Sequence, residues 1–174
     1  MMGMSSPEWS RYLRNELGVA MEPEEISAAV VAQVEDLYRE RLPLLPGARE
    51  AVASLAERWP LALASSANRP IIDLVLELAG IGELFAATVS SEEVGRGKPA
   101  PDVYLEAARR LAVEPRRCAA VEDSTNGLRA AAAAGMRVVA LPNREFPPSP
   151  AALERADLVL SSLDDLRPEA IARL

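Results

Sequence analysis

Short apolar runs alternate with helical stretches through most of this 174-residue chain, and this alternation restricts the fold more than any other feature. Helices are predicted near residues 48–58, 70–79, 102–111 and 127–134, and the apolar runs that follow them end near residues 64, 89, 121 and 141, with a last run at 158–160. Buried strands separated by helices form right-handed βαβ units. The sequence therefore predicts an α/β fold built on a parallel sheet.

The first forty residues follow a different pattern. Ser6, Pro7 and Gly18 are suited to the start and end of one helix, and a second helix is predicted from Pro23, with apolar residues at helical spacing. A group of helix-breaking residues follows, at Pro43, Pro46 and Gly47. We therefore predict a helical unit at residues 1–43 and an α/β unit at residues 44–174.

Charge and residue usage exclude several classes of function. The net charge of −7 disfavours binding to nucleic acid or to an anionic membrane surface, because both need a basic face. The chain has no histidine, which excludes Ser-His-Asp and Cys-His nucleophiles and histidine zinc sites. With a single cysteine, Cys118, and no secretory or membrane-spanning pattern, we expect a cytoplasmic protein.

Polar residues follow three of the predicted strands. Ser65 and Ser66 come after the first strand, Lys98 lies beyond the second, and Glu122 and Asp123 come after the third. The carboxyl ends of parallel strands meet at one edge of a sheet, where ligands bind. Lys98 is the only lysine among nineteen basic residues. This placement suggests that an ammonium was retained where a compact charge meets a phosphate.

Each of these groups also has a structural explanation. Ser65 or Ser66 could cap the following helix, and Glu122, Asp123 and Ser124 could form a helix start. Lys98 could be a lysine left on a surface loop. Taken together, however, the hydroxyls, the ammonium and the paired carboxylates fit a phosphate held beside Mg²⁺, which takes one or two carboxylates and keeps water molecules.

Four motifs make the pattern more specific. They are Leu61-Ala62-Leu63-Ala64-Ser65-Ser66, Gly97-Lys98-Pro99-Ala100-Pro101-Asp102, Val121-Glu122-Asp123-Ser124 through Gly127, and Ala133-Ala134-Gly135-Met136. In order and spacing they resemble the haloacid dehalogenase-like superfamily, over roughly residues 46–141. Within it they are most similar to the phosphatase and β-phosphoglucomutase-like branch. The resemblance implies a Rossmann-like three-layer core with a helical cap, of which residues 1–43 would be the later part.

The resemblance also implies a site. Ser65 and Lys98 would be catalytic residues, and with Ser66 they would bind the phosphoryl group. Glu122 and Asp123 would hold Mg²⁺, directly or through water. The substrate would be a small phosphorylated metabolite, as for phosphoglycolate phosphatase or β-phosphoglucomutase. The segment 3–7 resembles the substrate-facing cap loop but lacks the arginine found there in sugar-phosphate mutases.

The attacking group of that family is not in this sequence. The family's reaction forms an aspartyl phosphate on the first residue of an Asp-x-Asp motif, with the second aspartate as acid and base. The chain contains no Asp-x-Asp, and the segment that carries it would precede Met1. A fragment or misplaced start, a genuinely shortened protein and a segment supplied by another chain are all open explanations. We expect this chain to be inactive as written.

The missing segment would also supply the central first strand of the sheet, between the strands that end at Ser65 and Glu122. Because unpaired buried main-chain groups are costly, we expect those two strands to pair directly, or the gap to be occupied, or the lone chain to fold poorly. Exposed sheet edges would favour a homo-oligomer or a complementing segment.

Two other functional classes remain as alternatives. The chain could be a non-catalytic phosphate-binding or interaction module derived from the same fold. It could also be a flavodoxin-like or nucleotide-binding domain, in which Lys98 and the acidic pair would be accidental.

Overall fold

The structure, a computed structural model, describes residues 4–174. Its α-helices are α1 (Ser6–Asn15), α2 (Pro23–Glu40), α3 (Ala48–Ala56), α4 (Arg69–Ala79), α5 (Asp102–Arg110), α6 (Thr125–Ala133), α7 (Pro150–Leu153) and α8 (Pro168–Ile171). Its strands are β1 (Leu61–Ser65), β2 (Phe85–Ser90), β3 (Ala119–Glu122), β4 (Arg137–Ala140) and β5 (Leu158–Val159). From α3 to α8 helix and strand alternate as expected, although the one-turn helices α7 and α8 were not among the predicted elements.

All strand pairs within the described residues are parallel. β1 pairs with β2, with Leu63 opposite Thr88, and a separate sheet has the order β3–β4–β5, with Val121 opposite Val139. The parallel α/β architecture is thus confirmed. Direct pairing between the strands that end at Ser65 and Glu122 is not seen, because β1 and β3 belong to different sheets.

Helices cover the two sheets on both faces, which gives three layers. On one face α5 packs against β1 and β2, while α6 packs against β3 and β4 and also touches α5, so this helix pair connects the sheets. Leu128, Ala130 and Ala131 of α6 are fully buried, and the small alanines let the helix lie close to the strands. On the other face, Ala51 and Leu55 of α3 pack with Val139, Leu160 and Leu166.

Strand β3 has one edge that pairs with no other strand among the described residues. The carbonyls of Cys118 and Glu122 accept hydrogen bonds from the N–H groups of Arg137 and Leu141, at 2.9 and 2.8 Å. Main-chain groups alternate in direction along a strand. Those of Val121, the residue before Glu122, therefore point away from β4. The Val121 side chain is 40% exposed. This edge of β3 is therefore open to solvent in the described part of the chain.

The first helix begins one residue earlier than the sequence suggested. Ser5, not Ser6, is the N-cap of α1, because Glu8 lies three residues after Ser5 and forms a capping box with it. Both the N–H and the hydroxyl of Ser5 donate to Glu8 Oε2, at 2.7 and 2.8 Å. Helix α1 packs on α2, and α2 packs on α4 of the α/β unit. Among the described residues, no helix is long and apolar enough to cross a membrane.

Candidate active site

Lys98 joins the ends of the two separate sheets. It lies in the loop between β2 and α5, and its peptide bond to Pro99 is cis. Its ammonium donates to the Ala64 carbonyl of β1 at 3.2 Å and to Glu122 Oε1 at the end of β3. The structure therefore brings together Lys98, Glu122 and the residue before Ser65, which the sequence places far apart.

The Glu122 carboxylate is surrounded by donors. Oε1 accepts from Lys98 and from the phenol hydroxyl of Tyr104, while Oε2 accepts from the Asp123 N–H at 3.2 Å and the Ser124 hydroxyl at 3.3 Å. A carboxylate offers about four lone-pair positions, so these donors use its acceptor capacity. This arrangement explains how an anion can be buried at this point.

Gly127 makes room for that carboxylate. A Cβ atom at Gly127 would stand 1.9 Å from Glu122 Oε2, a separation that atoms cannot adopt. Gly127 lies in the first turn of α6, whose N-cap Ser124 accepts the Gly127 N–H at 3.0 Å. The predicted helix start at Ser124 and a site at Glu122 therefore coexist, since the same turn serves both.

Asp123 is placed differently from its neighbour. It is exposed, and the pKa of its carboxyl is raised from 3.8, first by partial desolvation and then by the negative charge of Glu122. The described residues contain no group of three or more metal-ligating side chains. Two carboxylates side by side nevertheless suit Mg²⁺, which binds through one or two of them and completes its shell with water and phosphate.

Ser65 is the last residue of β1, and Ser66 begins the loop that follows it. The Ser65 hydroxyl oxygen accepts the Ala67 N–H at 3.1 Å, which leaves the hydroxyl proton able to donate elsewhere. The Ser90 hydroxyl at the end of β2 donates to the Ala67 carbonyl at 2.7 Å. This bond ties the loop after β1 to β2. Ser65 directly follows Ala64, whose carbonyl accepts a hydrogen bond from Lys98.

Tyr104 belongs to the same buried cluster as Lys98 and Glu122, and it was not identified from the sequence. It is 6% exposed on the buried face of α5, and Lys98 Nζ lies 4.9 Å from the centre of its ring. Burial and the adjacent Glu122 raise the pKa of its phenol well above 10, so the group remains a neutral donor. One signal was present in the sequence, because a tyrosine on an otherwise apolar helix face needs a polar partner.

Helix α1 approaches the same loop. A Cβ atom at Gly97 would stand 2.8 Å from Glu8 Oε2 of α1, so the glycine allows close contact beside Lys98. Ser5 and Ser6 are buried, at 7% and 4% exposure. Residues 4–7 of the predicted substrate-facing segment 3–7 thus lie near the candidate site. Gly3 lies outside the described residues.

Known proteins share this sequence and architecture. A model of the haloacid dehalogenase-like hydrolase family matches residues 2–135. Hexitol phosphatase B of Escherichia coli K12 is 40% identical over 144 residues, which are 82% of this chain and 64% of that protein. The chain therefore spans somewhat less than two thirds of this curated relative.

Solved structures give the same fold. The Rhodobacter sphaeroides CbbY structure in complex with phosphate matches with a TM-score of 0.82 and 31% identity, covering 95% of this chain and 76% of that one. β-Phosphoglucomutase from Clostridium difficile matches with a TM-score of 0.80 and 26% identity, covering 98% and 77%. The three-layer, Rossmann-like fold expected from the sequence is confirmed. The chain belongs to the haloacid dehalogenase-like hydrolase family, in its phosphatase and β-phosphoglucomutase branch.

Proposed function

We propose that this chain supplies the phosphate- and magnesium-binding part of a phosphomonoester hydrolase that acts on a small phosphorylated metabolite. The observation that carries this proposal is the position of Lys98, which contacts Ala64 beside Ser65 and Glu122 beside Asp123. One ammonium thus links the hydroxyl end of one sheet to the acidic end of the other. The proposal includes a helical cap at residues 1–43, a core at residues 44–174 and a cytoplasmic location.

Ser65, Ser66 and Lys98 are proposed to bind the phosphoryl group. Ala64 and Glu122 engage two of the three N–H groups of Lys98 among the described residues, so the third can donate to a phosphoryl oxygen. The Ser65 hydroxyl keeps a proton for the same purpose while its oxygen accepts the Ala67 N–H. These donors would stabilise charge that develops on the transferring group.

Asp123 and Glu122 are proposed to hold Mg²⁺. Asp123 presents an exposed carboxylate, whereas the oxygens of Glu122 are already engaged by four protein donors. Asp123 would therefore bind the ion directly. Glu122 would reach it through water once one of the two longer bonds to its Oε2, at 3.2 and 3.3 Å, gives way. When bound, Mg²⁺ would neutralise charge on the phosphoryl oxygens. Glu122 would meanwhile keep Lys98 at the mouth of the site.

The attacking carboxylate must come from outside these 174 residues, because the sequence contains no Asp-x-Asp. We propose that it arrives on an extended segment that pairs with the open edge of β3, where the main chain of Val121 points away from β4. The segment could precede this sequence in a longer chain, or come from another chain that carries the motif. The 174-residue chain alone is then inactive or nearly so.

Turnover of a phosphomonoester with Mg²⁺ tests this proposal. The chain as given is compared with a version extended upstream to include an Asp-x-Asp motif, and each is repeated with Lys98→Ala. We expect turnover only in the extended chain with Lys98 intact. Strong and equal activity in the short and extended chains would contradict the proposed source of the nucleophile. Full activity of the extended Lys98→Ala variant would contradict the role of Lys98.

A non-catalytic phosphate-binding module is the second candidate. It is favoured by one observation, that Lys98 and Glu122 remain buried and paired in a chain without the nucleophile motif. Titration with inorganic phosphate in the presence of Mg²⁺ separates the two candidates. Tight binding without turnover in either chain length would support the module. Weak binding by the short chain, with turnover by the extended chain, would support the hydrolase.

A further inference from the structure

Tyr104 touches both members of the buried ion pair. Its hydroxyl donates to Glu122 Oε1, the same oxygen that accepts from Lys98, and Lys98 Nζ lies 4.9 Å from the centre of its ring. A cation near an aromatic face at this distance is attracted to it. The phenol therefore acts on Glu122 through its hydroxyl and on Lys98 through its ring.

Tyr104 is anchored on the buried face of a helix. It belongs to α5, and its neighbours on the buried face of that helix, Val103, Ala107 and Ala108, are at most 5% exposed. Lys98 by contrast stands on a loop and has a long flexible stem, which makes its position dependent on its contacts. A rigid helix thus presents a fixed hydroxyl to a carboxylate at the end of a short strand.

We propose that Tyr104 is a positioning residue that sets the orientation of the Glu122 carboxylate and, through it, the position of the Lys98 ammonium. The proposal rests on the hydrolase function proposed above, in which both groups belong to the phosphate site. Tyr104 limits the carboxylate on the Oε1 side, and Gly127 lies against its Oε2 side, where a Cβ atom would stand 1.9 Å away. The carboxylate plane is therefore fixed from two directions.

The hydroxyl can be separated from the ring by substitution. Tyr104→Phe keeps the ring that faces Lys98 and the packing of α5 but removes the donor to Glu122. With one donor fewer on Oε1, the carboxylate can turn toward its remaining partners, and Lys98 moves with it. A purely structural tyrosine would lose stability in this variant without any change in the surroundings of Lys98.

The single lysine of the chain gives a direct readout. Protein grown with lysine labelled with ¹³C at the ε position shows one methylene signal, which belongs to Lys98. We expect Tyr104→Phe to displace this signal by more than its linewidth. The matched control is Tyr12→Phe, which makes the same chemical change at a tyrosine that is 41% exposed on α1, and there the signal should not move. A Tyr104→Phe signal that coincides with wild type would overturn the proposal.

A double-mutant cycle tests whether Tyr104 acts through Glu122. Glu122→Gln alone should move the Lys98 signal, and adding Tyr104→Phe to it should produce much less further displacement than Tyr104→Phe produces in wild type. Equal displacements in the two backgrounds would show that the hydroxyl acts by another route, contrary to the proposal.

Two measurements keep the outcome decisive. If Tyr104→Phe does not fold, wild-type protein grown with 3-fluorotyrosine takes its place in the experiment. Fluorine makes the phenol a stronger hydrogen-bond donor, so the Lys98 signal should move relative to unfluorinated protein. An unmoved Lys98 signal would then overturn the proposal. Titration of the labelled chain extended upstream to include an Asp-x-Asp motif, with inorganic phosphate and Mg²⁺, addresses the underlying function separately. If phosphate leaves the Lys98 signal of that extended chain unchanged, the hydrolase proposal fails, whatever Tyr104→Phe shows.

Discussion

The ammonium of Lys98 and the carboxylate of Glu122 form an ion pair inside the protein, with only 8% of each side chain exposed. The pair connects the loop after β2 with the end of β3, which belong to different sheets. Removing two charges from water costs several kcal/mol per ion, and mutual attraction offsets this only where further hydrogen bonds complete the shell. Tyr104, Ser124 and the main chain provide those bonds for Glu122.

Removing one partner should therefore cost much more than removing both. We expect Lys98→Met to lower the free energy of unfolding by about 3 kcal/mol, because it leaves a buried carboxylate without its cation. The double variant Lys98→Met/Glu122→Gln should recover a large part of that loss. Urea denaturation of the three proteins measures both values.

The exposed ion pair between Arg58 and Glu169 provides the control, since its side chains are 57% and 63% exposed. Arg58→Met should change stability by less than about 1 kcal/mol, as is usual for surface pairs. Equal losses at Lys98 and Arg58 would show that burial does not make the Lys98 pair special.

Gly127→Ala tests whether the glycine is required for the position of Glu122. Alanine normally favours a helix over glycine by about 1 kcal/mol, but a Cβ atom 1.9 Å from Oε2 must displace the carboxylate. We expect the clash to dominate, with a net loss of about 1–3 kcal/mol by urea denaturation and a displaced Lys98 signal.

Gly82→Ala is the matched control, because a Cβ atom there meets only Leu76 Cβ at an ordinary 3.7 Å. It should fold with near wild-type stability and leave the Lys98 signal in place. Gly127→Ala could instead be as stable as the Gly82→Ala control and leave the Lys98 signal unmoved. That result would show that the position of Glu122 does not depend on the space left by Gly127.

The sequence predicted the parallel fold and the ends of its strands well, for a physical reason. Strands covered on both faces must be continuous apolar runs, and the polar residues that follow them mark the carboxyl edge of the sheet. The alanines of α6 were expected to bring that helix close to the strands, and Ala130 and Ala131 are fully buried. The one-turn helices α7 and α8 were not predicted, because four residues carry no measurable periodicity.

Pairing between strands was harder to predict than the strands themselves. Periodicity shows that β1 and β3 are strands but contains nothing about which edges meet, and the structure leaves them in separate sheets. The role of Tyr104 was missed for a related reason. Its hydrogen bond to Glu122 joins residues 18 positions apart, and only the tertiary fold makes them neighbours.

The phenol of Tyr104 should resist ionisation at high pH. Its pKa is raised well above 10 by burial and by the negative charge of Glu122. Above about pH 10 the unfolded chain releases this proton while the folded protein keeps it, so the stability contributed by the neutral phenol is lost as the pH rises toward the folded pKa. In folded protein just above pH 10, Tyr104→Phe should leave the tyrosinate absorbance unchanged, because the Tyr104 phenol is still neutral there.

Denaturation at alkaline pH completes that test. Part of the decline in stability seen in wild type above about pH 10 should be missing in Tyr104→Phe and present in Tyr12→Phe. A lower tyrosinate absorbance in folded Tyr104→Phe than in folded wild type just above pH 10 would contradict a buried hydrogen bond from Tyr104 to Glu122.

Asp123→Asn should stabilise the folded protein at neutral pH, because the carboxylate is held where its charge is unfavourable. Desolvation and the neighbouring Glu122 raise the pKa of Asp123 above 3.8. Below about pH 3.8 the carboxyl is protonated in both folded and unfolded chains; as the pH rises through the folded pKa, the folded protein must accept a disfavoured charge and loses stability. The advantage of the asparagine variant should therefore appear over this pH range and persist at neutral pH.

Urea denaturation over a pH series, with and without Mg²⁺, gives the full comparison. Added Mg²⁺ should stabilise wild type and leave the Asp123→Asn variant nearly unchanged, if the ion binds the folded state through that carboxylate as proposed. Asp36→Asn, an exposed change on α2 that removes the same charge, controls for the general loss of negative charge. A variant at Asp123 that is less stable than wild type at neutral pH, or that responds to Mg²⁺ as wild type does, would remove Asp123 from the proposed metal site.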